Sequence, residues 1–298
     1  MDGGGFRSIL FLRDHLQTYP YLPEYTKLSL MQVYAVFGDP VEHSLSPVMQ
    51  NAAFSALGLS ARYLAFRVRR ERLRDGILGA EAMHFGGLNL TIPHKEAALS
   101  IVEPDENAAA MGAVNAVAFR DGSILGYNTD GLGAVRALEE AGVRIAGVRV
   151  LIIGAGGAGK AIARQLALSG AEVSIANRDR RRAVDLAAAV GGRGYGLSDL
   201  AKLVPEAEIV VNATSVGMRA GDPRLFDGRL LREGQTVFDI VYNRETELLK
   251  DAVRAGAVAI DGVPMLVWQG VLSIEIWTGR KAPAEVMEEA VREELRNR

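Results

Sequence analysis

Cysteine is absent from all 298 residues, and this one fact excludes disulfides, thiolate nucleophiles, iron–sulfur clusters and Cys-bearing zinc sites. It fits a reducing compartment, so a cytoplasmic setting is expected. Histidine is scarce as well: His15, His43, His84 and His94 are too far apart to place two ligands on one helix face, and no metal site is expected. No apolar run approaches the roughly 18 residues of a membrane-spanning helix, and Ile9 to Leu12 is too short for the core of an export signal. Charge of either sign is not in excess. The 34 Lys and Arg stand against 36 Asp and Glu, a net charge of -2, so neither nucleic acid nor a membrane surface is an expected partner. Any anion must be recognised locally. A small-molecule substrate is the expected partner, in a monomer or a homodimer.

The composition is that of an ordinary globular chain, with 49% apolar and 23% charged residues, and the length suits about two domains. Residues 1–30 carry Gly3-Gly4-Gly5 and the Pro20/Pro23 pair without periodicity, and are expected to be appended to the core. From Met31 a βα rhythm begins. The pattern predicts a strand at Val33–Phe37, a helix from Pro47 with Val48, Ala52 and Phe54 inward, a strand at 63–66 and a helix at 70–78. It then predicts a strand at Gly87–Leu90, a helix after Pro93, and a hairpin of 114–119 with 124–127 turned by Asp121-Gly122. After a helix at 131–141, the run Val150–Ile153 reads as a strand buried on both faces. Helices at 160–169, 180–190 and 245–255 alternate with strands at 172–176, 209–212, 237–241 and 258–260, a doubly wound parallel pattern. Two last helices, 264–277 and 283–296, are expected to return to the first domain. The expected fold is therefore α/β: an N-terminal α/β substrate domain of residues 31–129 and 262–298, and a Rossmann-type doubly wound domain of residues 130–261.

The plainest chemical signal is Gly154-Ala155-Gly156-Gly157-Ala158-Gly159, placed between a buried strand and a helix. Gly154 suits the tight turn, Gly156 the close approach of a pyrophosphate, and Gly159 close helix–strand packing. At the end of the next strand stands Asn177-Arg178-Asp179-Arg180-Arg181-Arg182. An arginine there suits the 2'-phosphate of NADP, because guanidinium pairs with phosphate bidentately, whereas Asp179 offers the 2'-hydroxyl of NAD a carboxylate. In the first domain Ser44 and Ser46 precede Pro47, where Ser46 either caps the helix or cradles a small carboxylate. Lys95, two residues past Pro93, is expected in a first helical turn, where the dipole lowers a lysine's pKa toward proton exchange; the alternative is a surface lysine. Asp130 opens a helix and is either its cap or part of a set with Asn89, Thr91, Lys95, Asn115 and Asn128, all at strand ends where α/β sheets hold ligands.

These residues fall in a series that resembles one family. Met31-Gln-Val-Tyr-Ala-Val-Phe-Gly-Asp-Pro40, His43-Ser-Leu-Ser-Pro47, Asn89-x-Thr-x-Pro-x-Lys95, Gly112-Ala-Val-Asn115 and Gly126-x-Asn-Thr-Asp130-Gly131 come first. Gly154-Ala-Gly-Gly-Ala158, Asn177-Arg178, Asn212-Ala-Thr-Ser-x-Gly-Met218 and Trp277-Thr-Gly279 follow, so the chain resembles the shikimate dehydrogenases from Met31 to its end. The resemblance implies that Ser44 and Ser46 bind the substrate carboxylate, that Thr91, Asn115, Gln269 and Tyr242 hold ring hydroxyls, and that Lys95 and Asp130 are the catalytic pair. It implies NADP as cofactor, held by Gly154, Gly156, Gly157, Ala158, Gly159, Asn177, Arg178, Arg182, Thr214 and Met218, and a place in chorismate and aromatic amino acid biosynthesis. The chain departs from the family pattern at Asp179, often Thr, at Asn243-Arg244 after Tyr242, where Tyr-x-Pro is usual, and at Pro264, usually Gly. Two other readings stay open: a quinate/shikimate dehydrogenase preferring NAD, and a noncatalytic dinucleotide-binding regulator.

Overall fold

Strand β1 (Gln32–Gly38) opens the computed structural model, which describes residues 31–298; the segment 1–30, expected to be appended, lies outside the described residues. Helix α1 (Ser46–Ala56), β2 (Ala61–Arg67), α2 (Leu73–Ala82), β3 (Gly87–Leu90), β4 (Glu103–Pro104), α3 (Glu106–Met111), β5 (Ala116–Arg120) and β6 (Ser123–Tyr127) follow. They build a sheet in the order β2-β1-β3-β5-β6-β4, in which β2, β1 and β3 run parallel and β5 and β6 form the expected hairpin. The hairpin turn is made by Asp121 (φ 50°) and Gly122 (φ 81°), both left-handed, as a two-residue turn between twisted strands requires.

Helix α4 (Asp130–Glu140) leads to β7 (Arg149–Ile153), α5 (Gly157–Leu168), β8 (Glu172–Asn177), α6 (Arg180–Val190), β9 (Arg193–Gly196), α7 (Leu200–Glu206) and β10 (Ile209–Asn212). The chain ends through β11 (Thr236–Asp239), α8 (Glu247–Arg254), β12 (Val258–Ile260), α9 (Val263–Thr278) and α10 (Ala284–Asn297). The second sheet is parallel throughout, in the order β12-β11-β10-β7-β8-β9. Strand order reverses beside β7, and because Ile153 pairs with Asn212, the loops after β7 and β10 leave the sheet level with each other. That crevice is where doubly wound sheets take ligands.

The returning helices pack as expected. Val267, Val271 and Ile274 of α9 and Met287 and Val291 of α10 share a buried cluster with Tyr34 and Val36 of β1, Met49 and Phe54 of α1, and Tyr63 of β2. Helix α4 lies between the sheets: Ala134, Val135 and Leu138 join the core under β7 and α5, while Gly133 lets α9 approach so closely that an added Cβ would stand 2.9 Å from the Gln269 amide nitrogen.

Four local expectations are corrected. The buried face of α1 is Ser46, Met49, Gln50, Ala53 and the expected Phe54, an i, i+3, i+4 stripe beside which Val48 and Ala52 are only partly buried. No α-helix follows Pro93. The Lys95 carbonyl accepts the Val114 N–H at 2.8 Å, which stitches the turn to the neighbouring chain, and only a short 3-10 turn, Ala97–Ser100, forms. The segment 70–78 divides into a 3-10 turn (Arg70–Arg72) and α2, and α5 begins at Gly157, not 160, inside the glycine-rich run. Strands β4 and β9 and helices α3 and α7 were not anticipated: all are short, β9 holds two glycines and α7 contains Pro205.

Candidate active site

The ends of β3, β5 and β6 and the start of α4 bring together residues far apart in the chain. Asp130 is the first residue of α4, but it does not cap it: Thr129 holds the capping position without a side-chain cap, and the Asp130 N–H donates to Asn128 Oδ1 at 3.1 Å. The carboxylate is therefore free to face the cleft. Its Oδ2 accepts from Lys95 Nζ at 2.5 Å and its Oδ1 from Asn115 Nδ2 at 2.7 Å. The Asp130 side chain is only 7% exposed and that of Lys95 21%. The orientation of the Asn115 amide is fixed by chemistry, since its Oδ1 accepts the Thr129 backbone N–H at 2.7 Å and a backbone N–H can only donate. Lys95 lies outside any α-helix, not in the expected first helical turn, and its partner is the Asp130 carboxylate.

Ser46 likewise does not cap its helix. Leu45 occupies the cap position, and Ser44 Oγ accepts the Ser46 N–H at 3.2 Å. Behind Ser46 lies the phenol of Tyr63, wholly buried, whose hydroxyl donates to Asn89 Oδ1 at 2.7 Å. Burial pushes the Tyr63 hydroxyl well above its usual range, against a smaller opposing contact from Ser46, so it stays a proton donor. Asn89 Nδ2 donates to the Asn115 carbonyl at 3.0 Å and to Ser273 Oγ at 2.9 Å, and Ser273 in turn donates to the Gln269 carbonyl at 2.8 Å. Thr129 Oγ1 closes the circuit onto the same Gln269 carbonyl at 3.1 Å. Tyr63 and Ser273 were not singled out by sequence reasoning. The only available signal was that a tyrosine on a buried strand must find a partner for its hydroxyl.

This network backs one wall of a cleft of about 670 Å³, where Ser44, Ser46, Thr91, Lys95, Asn115 and Asp130 face Gly154, Gly156, Gly157, Ala158, Asn177 and Thr214. Met218, Tyr242 and Gln269 also line it. Burial raises the Tyr242 hydroxyl above its usual pKa, which keeps it neutral. Three expected residues are not on the wall. Gly159 lies beneath the turn, where a Cβ would collide with the Gly154 carbonyl; Arg178 is exposed; and Arg182 lines an adjoining hollow of about 410 Å³ with Lys160 and Arg164.

Three family models match in chain order: the shikimate dehydrogenase substrate binding domain over residues 36–117, shikimate/quinate 5-dehydrogenase over 136–248, and the shikimate 5'-dehydrogenase C-terminal domain over 262–292. The shikimate dehydrogenase (NADP(+)) of Methanothrix thermoacetophila is 60% identical over 265 residues, covering 89% of this chain and 98% of that protein. Among solved structures, shikimate dehydrogenase from Aquifex aeolicus matches with a TM-score of 0.85 at 38% identity, covering 89% of this chain and 98% of that one. Shikimate 5-dehydrogenase from Thermus thermophilus, in complex with NADP(H) and shikimate, matches with a TM-score of 0.83 at 38% identity, covering 88% and 99%. This chain belongs to the shikimate dehydrogenase family.

The second wall suits the dinucleotide that the family's glycine-rich turn takes. A Cβ built at Gly156 or Gly157 meets nothing within 4 Å, so the backbone there is open to the cleft at the start of α5. Asn177 ties this turn to the end of β8, accepting the Ala155 N–H at 3.3 Å and donating to the Asp179 carbonyl at 3.0 Å. Thr214 is positioned by Asn212, whose Oδ1 accepts its hydroxyl at 2.7 Å, while Asn212 Nδ2 donates to Asp239 Oδ1 at 2.8 Å. The family departure at Asp179 has a structural explanation: its Oδ1 caps α6, accepting the N–H groups of Arg181 and Arg182 at 3.0 and 3.4 Å. Among the described residues no helix is long and apolar enough to cross a membrane, and no three His, Cys, Asp or Glu gather as metal ligands.

Proposed function

We propose that this chain catalyses the reversible, NADP-dependent reduction of 3-dehydroshikimate to shikimate. One observation carries the reading: a partly buried Lys95–Asp130 pair at 2.5 Å sits in a single cleft opposite the glycine-rich turn. Gly154, Gly156, Gly157, Ala158, Asn177, Thr214 and Met218 would hold NADPH, with Arg178 and Arg182 available to its 2'-phosphate, and when bound it would supply the hydride. Lys95 gives the proton to the carbonyl oxygen as negative charge develops there, and stabilises that charge as it forms. Asp130 holds the ammonium in place, and Asn115 holds Asp130 through its second oxygen. Ser44 and Ser46 take the substrate carboxylate, while Thr91, Asn115, Tyr242 and Gln269 fix the ring hydroxyls.

In this reading residues 31–129 with 262–298 form the substrate domain and 130–261 the cofactor domain. Every named group comes from one chain. Relatives at 60% and 53% identity named for NADP(+) support NADP over NAD, while Asp179, which caps α6 through Oδ1, keeps Oδ2 open. The test is to supply purified protein with shikimate or quinate, each with NADP or NAD at matched concentrations, and to follow nicotinamide reduction. Shikimate with NADP should be fastest. Quinate with NAD in first place would support the broader dehydrogenase, and no turnover with any pair would support the regulator.

A further inference from the structure

We propose that Glu96 is an internal anion seated among cations that a dinucleotide phosphate must reach, so that this one carboxylate sets how tightly the cofactor binds. The inference rests on the dinucleotide reading above. Glu96 follows Lys95 in the turn after β3, and its Oε1 accepts from Lys160 Nζ at 2.8 Å. Lys160 stands in the first turn of α5, directly after Gly159, so the pair crosses from a loop of the first sheet to the phosphate-binding turn of the second. Glu96 itself lines the main cleft, as does Arg70 from the turn following β2. Arg182, at the start of α6, lines the adjoining hollow together with Lys160.

The hydrogen bond from Lys160 is the largest influence holding the Glu96 carboxyl below its usual range, and the charges of Lys160, Arg182 and Arg70 add to it. Lys160 on α5, Arg182 on α6 and Arg70 in the turn after β2 thus act on one carboxylate from three separate elements, and only Lys160 is bonded to it. A plain surface ion pair accounts for Lys160 and Glu96 only. Their side chains are 31% and 57% exposed, a setting in which a pair contributes little stability. It gives no reason for two arginines from other elements to act on the same carboxylate, beside a turn shaped for phosphate. An incoming phosphate accounts for all three: it takes the cations by displacing Glu96, and the cost of that exchange is subtracted from cofactor affinity.

The expected result runs against simple loss of function. Glu96→Gln keeps an oxygen for the Lys160 hydrogen bond but removes the competing charge, so NADPH should bind about threefold to tenfold more tightly at low salt. The gain should shrink as salt is added. Titration of NADPH fluorescence into the full chain, without substrate, reads the effect. Lys160→Met should weaken NADPH binding, and in the Glu96→Gln/Lys160→Met double variant most of the gain should vanish. Unchanged or weaker NADPH binding in Glu96→Gln overturns the inference, because loss of a merely structural ion pair does not tighten a ligand. Failure of the unaltered chain to bind NADPH at all would overturn the dinucleotide reading itself.

Discussion

The two walls of the cleft are built on opposite plans. The first-sheet wall carries Asn89, Asn115 and Asp130, whose polar atoms are held by one another and by Thr129, Ser273 and the wholly enclosed Tyr63 behind them, all buried. The second-sheet wall has backbone at its centre, with Gly156 and Gly157 open to the cleft, and Arg178 and Asp179 lie exposed beyond it. A fully satisfied buried network fixes geometry, and each member lost leaves a partner unpaired in a medium of low dielectric. An open backbone turn with exposed charges fixes little until an anion arrives. Changes on the first wall should therefore act on rate and stability together, and changes on the second on cofactor affinity alone.

The sharpest separation should come from Lys95→Ala. Loss of the proton donor should lower kcat by about 10²- to 10⁴-fold, while the dissociation constants of shikimate and NADPH, measured by titration, change by less than about threefold. A comparable loss of binding would mean that Lys95 holds substrate instead of moving a proton. Next in size, Asn115→Ala removes the donor to Asp130 and the acceptor for the Thr129 N–H, so chemical denaturation should show a loss of about 1–3 kcal/mol alongside a fall in kcat. A kcat effect without a stability effect would break the claim that this wall is a single network.

Two glycines separate the second wall from what lies beneath it. Gly159→Ala drives a Cβ into the Gly154 carbonyl and should cost roughly 1–3 kcal/mol of stability, as at an overpacked site, read as a fall in Tm. Gly156→Ala meets no protein atom within 4 Å and should leave Tm unchanged while weakening NADPH. Smallest is Arg178→Ala, which should raise the KM for NADP by about tenfold, the worth of one charge-assisted hydrogen bond, with little effect on NAD. Equal effects on both cofactors would place Arg178 away from the 2'-phosphate.

The same contrast explains what could be read from sequence. The glycine-rich turn, the strand β7 before it and the hairpin were legible because each is a contiguous pattern with a local cause. The first wall was legible only as residue types gathered at strand ends. Its bonds join Tyr63 to Asn89 across 26 positions and Asn89 to Ser273 across 184, and no local pattern marks such pairs. Local rules also misplaced Lys95, since Pro93 reads as a helix start while the deciding contact is the Val114 N–H from another segment. Ser46 and Asp130 were the right residue types for caps in nearly the right place, yet Leu45 and Thr129 hold those positions and leave both side chains to the cleft. Strand β9 exists through its pairing with β8, from Ser174 opposite Arg193 to Asn177 opposite Gly196, and not through any propensity of its own.

The central claim is that Lys95 and Asp130 act as one unit, and a double-mutant cycle on kcat tests it most directly. Groups that act together are strongly non-additive. The Lys95→Ala/Asp130→Ala double variant should therefore be no slower than Lys95→Ala alone to within about threefold, with shikimate and NADPH binding retained. Losses that multiply, so that the double variant falls by the product of the two single effects, would show two independent contributions and contradict the account.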